Sequence, residues 1–165
     1  MRRIVLALAL GLQIAMVSPV PAAPATGEVR VSFKPVEELS DVGRGADRER
    51  NVRAIAAEFE ALAARLPGGE VLEVEVLDVD MAGELRLMHS GQELRVMRGG
   101  ADWPRIELRW TLRRDGRTLA SGHDRLADMN YLDTPLRPGQ TGTAAYEGRM
   151  IERWFDERVA GSAAR

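Results

Sequence analysis

Hydrophobic and polar positions alternate from Glu28 to Phe33, with Val29, Val31 and Phe33 on one side and Glu28, Arg30 and Ser32 on the other. A period of two predicts a strand half-buried against a core. The period then changes. Between Asp47 and Leu66, the apolar residues Val52, Ile55, Phe59, Leu62 and Leu66 recur at helical spacing, and Ala56 and Ala63 fill the same stripe. This predicts an amphipathic helix, with Asp47 placed to cap its first turn and Pro67-Gly68-Gly69 to stop it. Alternation returns at Leu72, Val74 and Val76, then shifts parity to Leu77, Val79 and Met81. One extra residue near Val76-Leu77 restores the facing, so a β-bulge is expected there. The alternative is a strand end buried on both faces, where Asp78 and Asp80 would need buried partners.

Residues 82–102 are rich in glycine and carry weak periodicity, although Leu94, Val96 and Met97 suggest a short strand. After Pro104, alternation is clear again: Ile106, Leu108, Trp110 and Leu112 against Arg105, Glu107, Arg109, Thr111 and Arg113. Asp115-Gly116 is a strong signal for a two-residue hairpin turn, because both positions tolerate positive φ. The returning strand runs to about Leu126. A simple two-residue turn sets Leu112 opposite Leu119, Trp110 opposite Ser121 and Leu108 opposite His123. Residues 128–141 form a loop, and a second amphipathic helix from about Thr143 carries Tyr146, Met150, Trp154, Phe155 and Val159. Single-sided strands and two striped helices are satisfied together by an α+β two-layer sandwich. The sheet is expected to have about four strands, largely antiparallel, with both helices on one face. Its other face would expose Glu73 and Glu75 beside Arg105, Arg109 and Arg113.

The chain has 165 residues, enough for one domain. It opens with Arg2-Arg3, a short apolar run from Ile4 to Val17, and small residues ending Val20-Pro21-Ala22. That order reads as a secretory signal peptide over residues 1–22, with a single domain over 23–165 and an ordered core of about 28–160. The expected setting is periplasmic, with no transmembrane anchor once the signal is cut. The 23 Lys+Arg, less Arg2 and Arg3, leave 21 basic against 25 acidic residues. No basic concentration favours nucleic acid. The absence of Cys removes disulfides, thiolate metal sites, cysteine nucleophiles and a lipid-modified cysteine anchor together.

Chemistry has few footholds. Asp78, Asp80 and Glu84 offer oxygen ligands for a hard cation, although carboxylates two apart on a strand point the same way, and pairing with the arginine row competes. A pair of these acids working on a glycoside would need a cleft at a set separation, which nothing in the sequence provides. His89 and His123 are the two imidazoles, and no G-x-S-x-G elbow accompanies them. Met81, Met88 and Met97 flank His89, but without a regular period, and core Met is the commoner use. No phosphate-loop pattern is present, and no cofactor is expected. The segment Asp128-Met129-Asn130-Tyr131-Leu132-Asp133 combines polar groups with an aromatic, as binding loops do. It equally fits a turn whose Asp and Asn bond their own backbone while Tyr131 packs down. Asp128, Asn130, Tyr131 and Trp103 are the candidate binding residues.

Ser40-Asp41-Val42-Gly43, Asp78-Val79-Asp80-Met81-Ala82-Gly83-Glu84, Ala101-Asp102-Trp103-Pro104-Arg105-Ile106, Asp128-Met129-Asn130-Tyr131-Leu132 and the Trp154-Phe155 helix follow one another in the chain. In that order they resemble the family known as domain of unknown function 3016, small exported proteins of Gram-negative bacteria. The resemblance spans Val29 to about Val159. It implies an envelope setting and supplies no activity or catalytic residues. The element order is also similar to that of envelope accessory domains that assist lipid or lipopolysaccharide transport, a likeness of fold alone. The expectation is a non-enzymatic binding or envelope-accessory domain, its partner sought among envelope proteins. Its contact surface would draw on residues 81–103, residues 128–133 and the charged sheet face. The alternative is a metal-dependent enzyme or metal carrier built on Asp78, Asp80 and Glu84.

Overall fold

The computed structural model describes residues 26–161. The expected signal peptide, residues 1–22, and the small-residue end from Ser162 lie outside the described residues. Eight main elements follow in the order β1 (Glu28–Phe33), α1 (Gly45–Ala61), β2 (Glu70–Asp80), β3 (Glu84–Leu87), β4 (Glu93–Val96), β5 (Arg105–Arg114), β6 (Arg117–Ala127) and α2 (Ala145–Trp154). The main sheet is ordered β1-β2-β5-β6, and β3 and β4 form a separate two-stranded ribbon. β1 and β2 are parallel because α1 carries the chain back between them; β2–β5 and β5–β6 are antiparallel. Ile55 and Phe59 of α1, Ile151 and Trp154 of α2, and Leu72, Leu108 and Leu112 of the sheet belong to one core cluster. Full burial of such a side chain is worth about 1.5–3 kcal/mol. The fold is an α+β two-layer sandwich.

The expected bulge is present: pairing of β2 with β5 shifts between Val76 and Asp78, leaving Leu77 as the extra residue. α1 begins two residues before Asp47, with Arg44 at the cap position and no side-chain cap. Asp47 therefore lies in the first turn, where it accepts from Arg50 at 2.5 Å. The α-helix also ends earlier than the apolar stripe. Leu62–Arg65 tighten into a 3-10 turn that still buries Leu62. At the other end of the chain α2 continues into a π-helical turn, Phe155–Ala160, which buries Phe155 and Val159.

The β5–β6 hairpin departs from its expected register. Asp115 and Gly116 make the turn with φ of 51° and 76°, but the pairing slips between Leu112 and Arg113. Leu112 faces Ala120, Trp110 faces Gly122 and Leu108 faces Asp124. Leu119 is the extra residue and stands 42% exposed. The slip has two visible causes. A Cβ at residue 122 would lie 2.6 Å from Trp110 Nε1, so only glycine fits opposite that indole. The slip also turns Asp124 toward the helices, where its Oδ2 accepts from Trp110 Nε1 at 2.7 Å and Trp154 Nε1 at 3.0 Å. Arg158 donates to its Oδ1 at 2.9 Å. Burial opposes ionisation of Asp124, but these donors outweigh it and hold the carboxyl below its ordinary range.

Replacing Asp124 by Ala leaves two indole N–H donors without their acceptor. The expected loss is about 2–4 kcal/mol of unfolding free energy, read from urea denaturation. An unchanged midpoint would show that the indoles find other partners.

Candidate functional site

The three acids considered for a metal do not converge. Asp78 accepts from Ser40 N and Ser40 Oγ, each at 2.8 Å. Asp80 is paired with Arg105 of β5, and Glu84 with Arg86 of its own strand at 2.9 Å. Asp78 and Asp80 keep regular places in the ladder opposite Glu107 and Arg105, and the turn at Gly83, with φ of 82°, carries Glu84 away onto the ribbon. Among the described residues no three His, Cys, Asp or Glu side chains gather into a group able to hold a metal ion. The other acids of the outer sheet face are likewise engaged: Glu73 with Arg113 at 3.1 Å, Glu75 with Arg109 at 3.4 Å, and Glu107 with both His123 at 2.7 Å and Arg125 at 3.1 Å.

The candidate binding residues divide. Tyr131 is fully buried, edge-on to Tyr146 with ring centres 5.0 Å apart. Asp128 is buried against Arg149 of α2 at 2.9 Å. Arg149 also donates to the carbonyls of Tyr131, at 2.7 Å, and Thr134. One guanidinium thus staples residues 128–134 to the helix, because a fork of N–H donors satisfies carboxylate and carbonyls together. Asn130 stays exposed, its carbonyl accepting from Asp133 N at 3.0 Å. Trp103 is half-buried, with the Arg105 guanidinium 5.5 Å from its ring centre. Two of the four therefore anchor the loop, Asn130 is exposed within it, and Trp103 lies on the segment before β5.

A cleft of about 490 Å³ opens beyond the C-terminal ends of β1 and β2. Its walls come from residues 39–44, from Asp80 and Glu84, and from Asp102 and Arg105. These are the segments that carry the family resemblance, here brought side by side. Residues around Asp41 extend the sheet: Asp41 N donates to Val79 O, and Met81 N donates to Asp41 O, both at 2.9 Å. The Asp41 carboxylate meets Arg95 of β4 through two bonds, 3.1 and 2.9 Å. Arg95 also donates to the Gly83 carbonyl at 2.9 Å. This bidentate pair fixes the base of the ribbon against the sheet. Arg44 reaches Glu93 of the same ribbon at 3.0 Å. Two of the cleft's charges, Asp41 and Arg44, are thus spent on joining ribbon to body.

A buried acid supports the same junction from below. Glu147 of α2 is 1% exposed; its Oε1 accepts from Ala82 N at 2.8 Å, while its Oε2 is buried without a partner. Burial raises its pKa above the ordinary carboxylate value, and Glu58 of α1 adds to the rise, while the Ala82 amide and Arg95 oppose it. Glu58 is raised as well, by burial and then by Glu152.

What the junction holds out is apolar. Leu87, at 72% exposure, Met88, Leu94 and Met97 lie on the ribbon or just beyond its strands; Met129, at 65%, and Leu132 lie on the neighbouring loop. The two segments touch: a Cβ on Gly99 would stand 3.1 Å from Leu132 Cδ1. Six of the seven exposed large apolar side chains among the described residues belong to these two segments, Leu119 being the other. Apolar exposure concentrated on two neighbouring segments points to a contact surface, and methionine suits one that must adapt. Neither Arg95 nor Glu147 was singled out by sequence. Glu147 stands four before Ile151 on the apolar stripe of α2, which was a usable signal; Arg95 has none.

The family model described as "Protein of unknown function (DUF3016)" matches residues 27–157, a span running from β1 through α2. No curated protein matches the sequence. Among solved structures, the chain is similar to the PelC dodecamer from Paraburkholderia phytofirmans at 12% identity, covering 84% of this chain and 92% of that one with a TM-score of 0.32.

Arg95→Ala should free the ribbon without unfolding the sheet. Amide exchange across residues 84–96 is expected to rise by about tenfold or more, while Leu72 and Leu108 keep their protection; equal loss in both would mean the ribbon is integral to the core. Glu147→Gln tests the buried acid through pH. Because the folded pKa is raised, the stability that wild-type Glu147 contributes is full below the unfolded value of 4.5 and is lost as pH rises through the folded value. Glutamine does not ionise, so the variant should gain on the wild type in urea midpoints as pH rises above 4.5. A constant difference across that range would contradict it.

Proposed function

The chain belongs to the DUF3016 family, and from that premise we propose that it is an exported, non-enzymatic binding domain of the bacterial envelope that grips a protein partner. The export half of this reading rests on the sequence: the paired arginines, the short apolar run and the small residues before Ala23. The binding half rests on one observation, the gathering of exposed Leu87, Met88, Leu94, Met97, Met129 and Leu132 on the ribbon and the adjoining loop. The ribbon is also a pair of short strands outside the main sheet, whose unpaired backbone edges can accept a further strand from a partner. The ion pairs beneath, Asp41 with Arg95 and Asp128 with Arg149, hold both parts of the surface in place before a partner arrives. Pre-organisation of that kind reduces the ordering cost of binding.

A native mass spectrum of the protein taken from its own periplasm is the direct test. The expected species starts at Ala23 and carries a second protein. A Leu87→Asp, Met129→Asp variant should lose that partner, because two charges placed at the centre of an apolar contact must be desolvated. A Leu119→Asp variant should keep it. A partner retained by the double variant, or a bound metal in its place, would overturn the reading.

A further inference from the structure

Asn51 occupies a position on α1 where the helical stripe calls for an apolar residue, four before Ile55. It is 7% exposed. Its Nδ2 donates to the Val42 carbonyl at 3.0 Å. A carbonyl can only accept, so the amide nitrogen must face Val42 and the oxygen must face away. That Oδ1 receives no hydrogen bond from any described residue. Asn51 is one of the residues lining a cavity of about 260 Å³ between the start of α1, the ribbon and the start of α2. Met81, Leu85, Leu94, Met97 and Tyr146 supply the rest of the wall that matters here.

We infer that this cavity is a socket for an aromatic side chain carrying an N–H or O–H donor, a tryptophan or tyrosine of the protein partner. The inference rests on the binding-surface reading above and deepens it, since Leu94 and Met97 belong both to the socket and to the exposed surface. Size fits a side chain: the volume lies under the roughly 300 Å³ at which small-molecule and cofactor pockets begin. Charge favours a neutral occupant, because each ion at the rim already has a partner, Arg50 with Asp47 inside the rim and Glu93 and Arg95 with Arg44 and Asp41 outside it. Chemistry selects the donor. An aliphatic or plain phenyl group would cover Asn51 Oδ1 and leave it unsatisfied, whereas an indole or phenol satisfies it and buries its ring against methionine and leucine. Tryptophan and tyrosine in well-packed pockets are also the commonest anchors of protein interfaces.

The probe is indole, with indene as the isostere that lacks the N–H, titrated into the full mature protein while methionine methyl and asparagine amide signals are followed by NMR. Indole should shift the Met81 and Met97 methyls and the Asn51 amide saturably, and indene should bind about tenfold more weakly. Leu94→Glu, at an exposed rim position, should weaken indole by a similar factor. Leu119→Asp, away from both socket and surface, should leave indole binding unchanged. No saturable shift, equal affinity for indole and indene, or wild-type affinity in Leu94→Glu would overturn the socket, as would a small aromatic molecule retained in the native mass spectrum. Loss of the partner in Leu87→Asp alongside failure of indole would sink the socket alone. Indole binding with the partner retained by the Leu87→Asp, Met129→Asp variant would uphold the socket's chemistry and sink the surface reading.

Discussion

Two indole N–H groups, one from the sheet and one from α2, end on a single carboxylate oxygen of Asp124. Much of the molecule is arranged around that junction. Asp124 can face the helices only if the β5–β6 hairpin slips by one residue, and the slip needs glycine opposite Trp110 and an outward Leu119. Trp154 in turn packs edge-on against both Trp110 and Phe59, each with ring centres 6.0 Å apart. Sheet, α1 and α2 therefore meet at one aromatic cluster whose polar edge is satisfied inside the core. Buried indole groups usually find such a partner, and here the partner also sets the register.

The position of α2 then governs the periphery. From its first turns Glu147 reaches the Ala82 amide at the root of the ribbon, and Arg149 gathers Asp128 and the carbonyls of the following loop. The ribbon is held a second time by Arg95 on Asp41, in the segment that extends the sheet beyond β1. Buried and half-buried charges are costly unless well paired, and these are spent where appendages join the body. The outer sheet face, by contrast, carries exposed pairs that contribute little to stability singly. The charged groups thus hold a surface whose outward character is apolar.

The sequence reveals the layers and not the appendages. Strict alternation identified β1, β2 and β5, and the parity change at Val76-Leu77 identified the bulge, because side-chain facing on a strand follows directly from residue count. The hairpin register was misread for the same reason: Asp115-Gly116 specifies the turn, but the count could not show that Trp110 tolerates only glycine opposite. Asp47 has the chemistry of a cap, yet two glycines with positive φ at 43 and 45 start the helix earlier. Asp128 and Tyr131 look like binding groups because they are polar or aromatic within a loop. Their actual partner, Arg149, lies 21 residues beyond Asp128 and 18 beyond Tyr131, and only packing brings it near. The same limit hid Arg95 and Asp41. Asn51 and Glu147 were legible in principle, as polar residues interrupting apolar stripes.

Site-specific crosslinking in the native envelope tests the central claim most directly. A photoreactive residue placed at Leu87, Met129 or Leu119 samples the ribbon, the loop and the outward residue of the hairpin. The account predicts the same crosslinked partner from Leu87 and Met129 and none from Leu119. Crosslinks from Leu119 alone, or equal capture from all three positions, would contradict it.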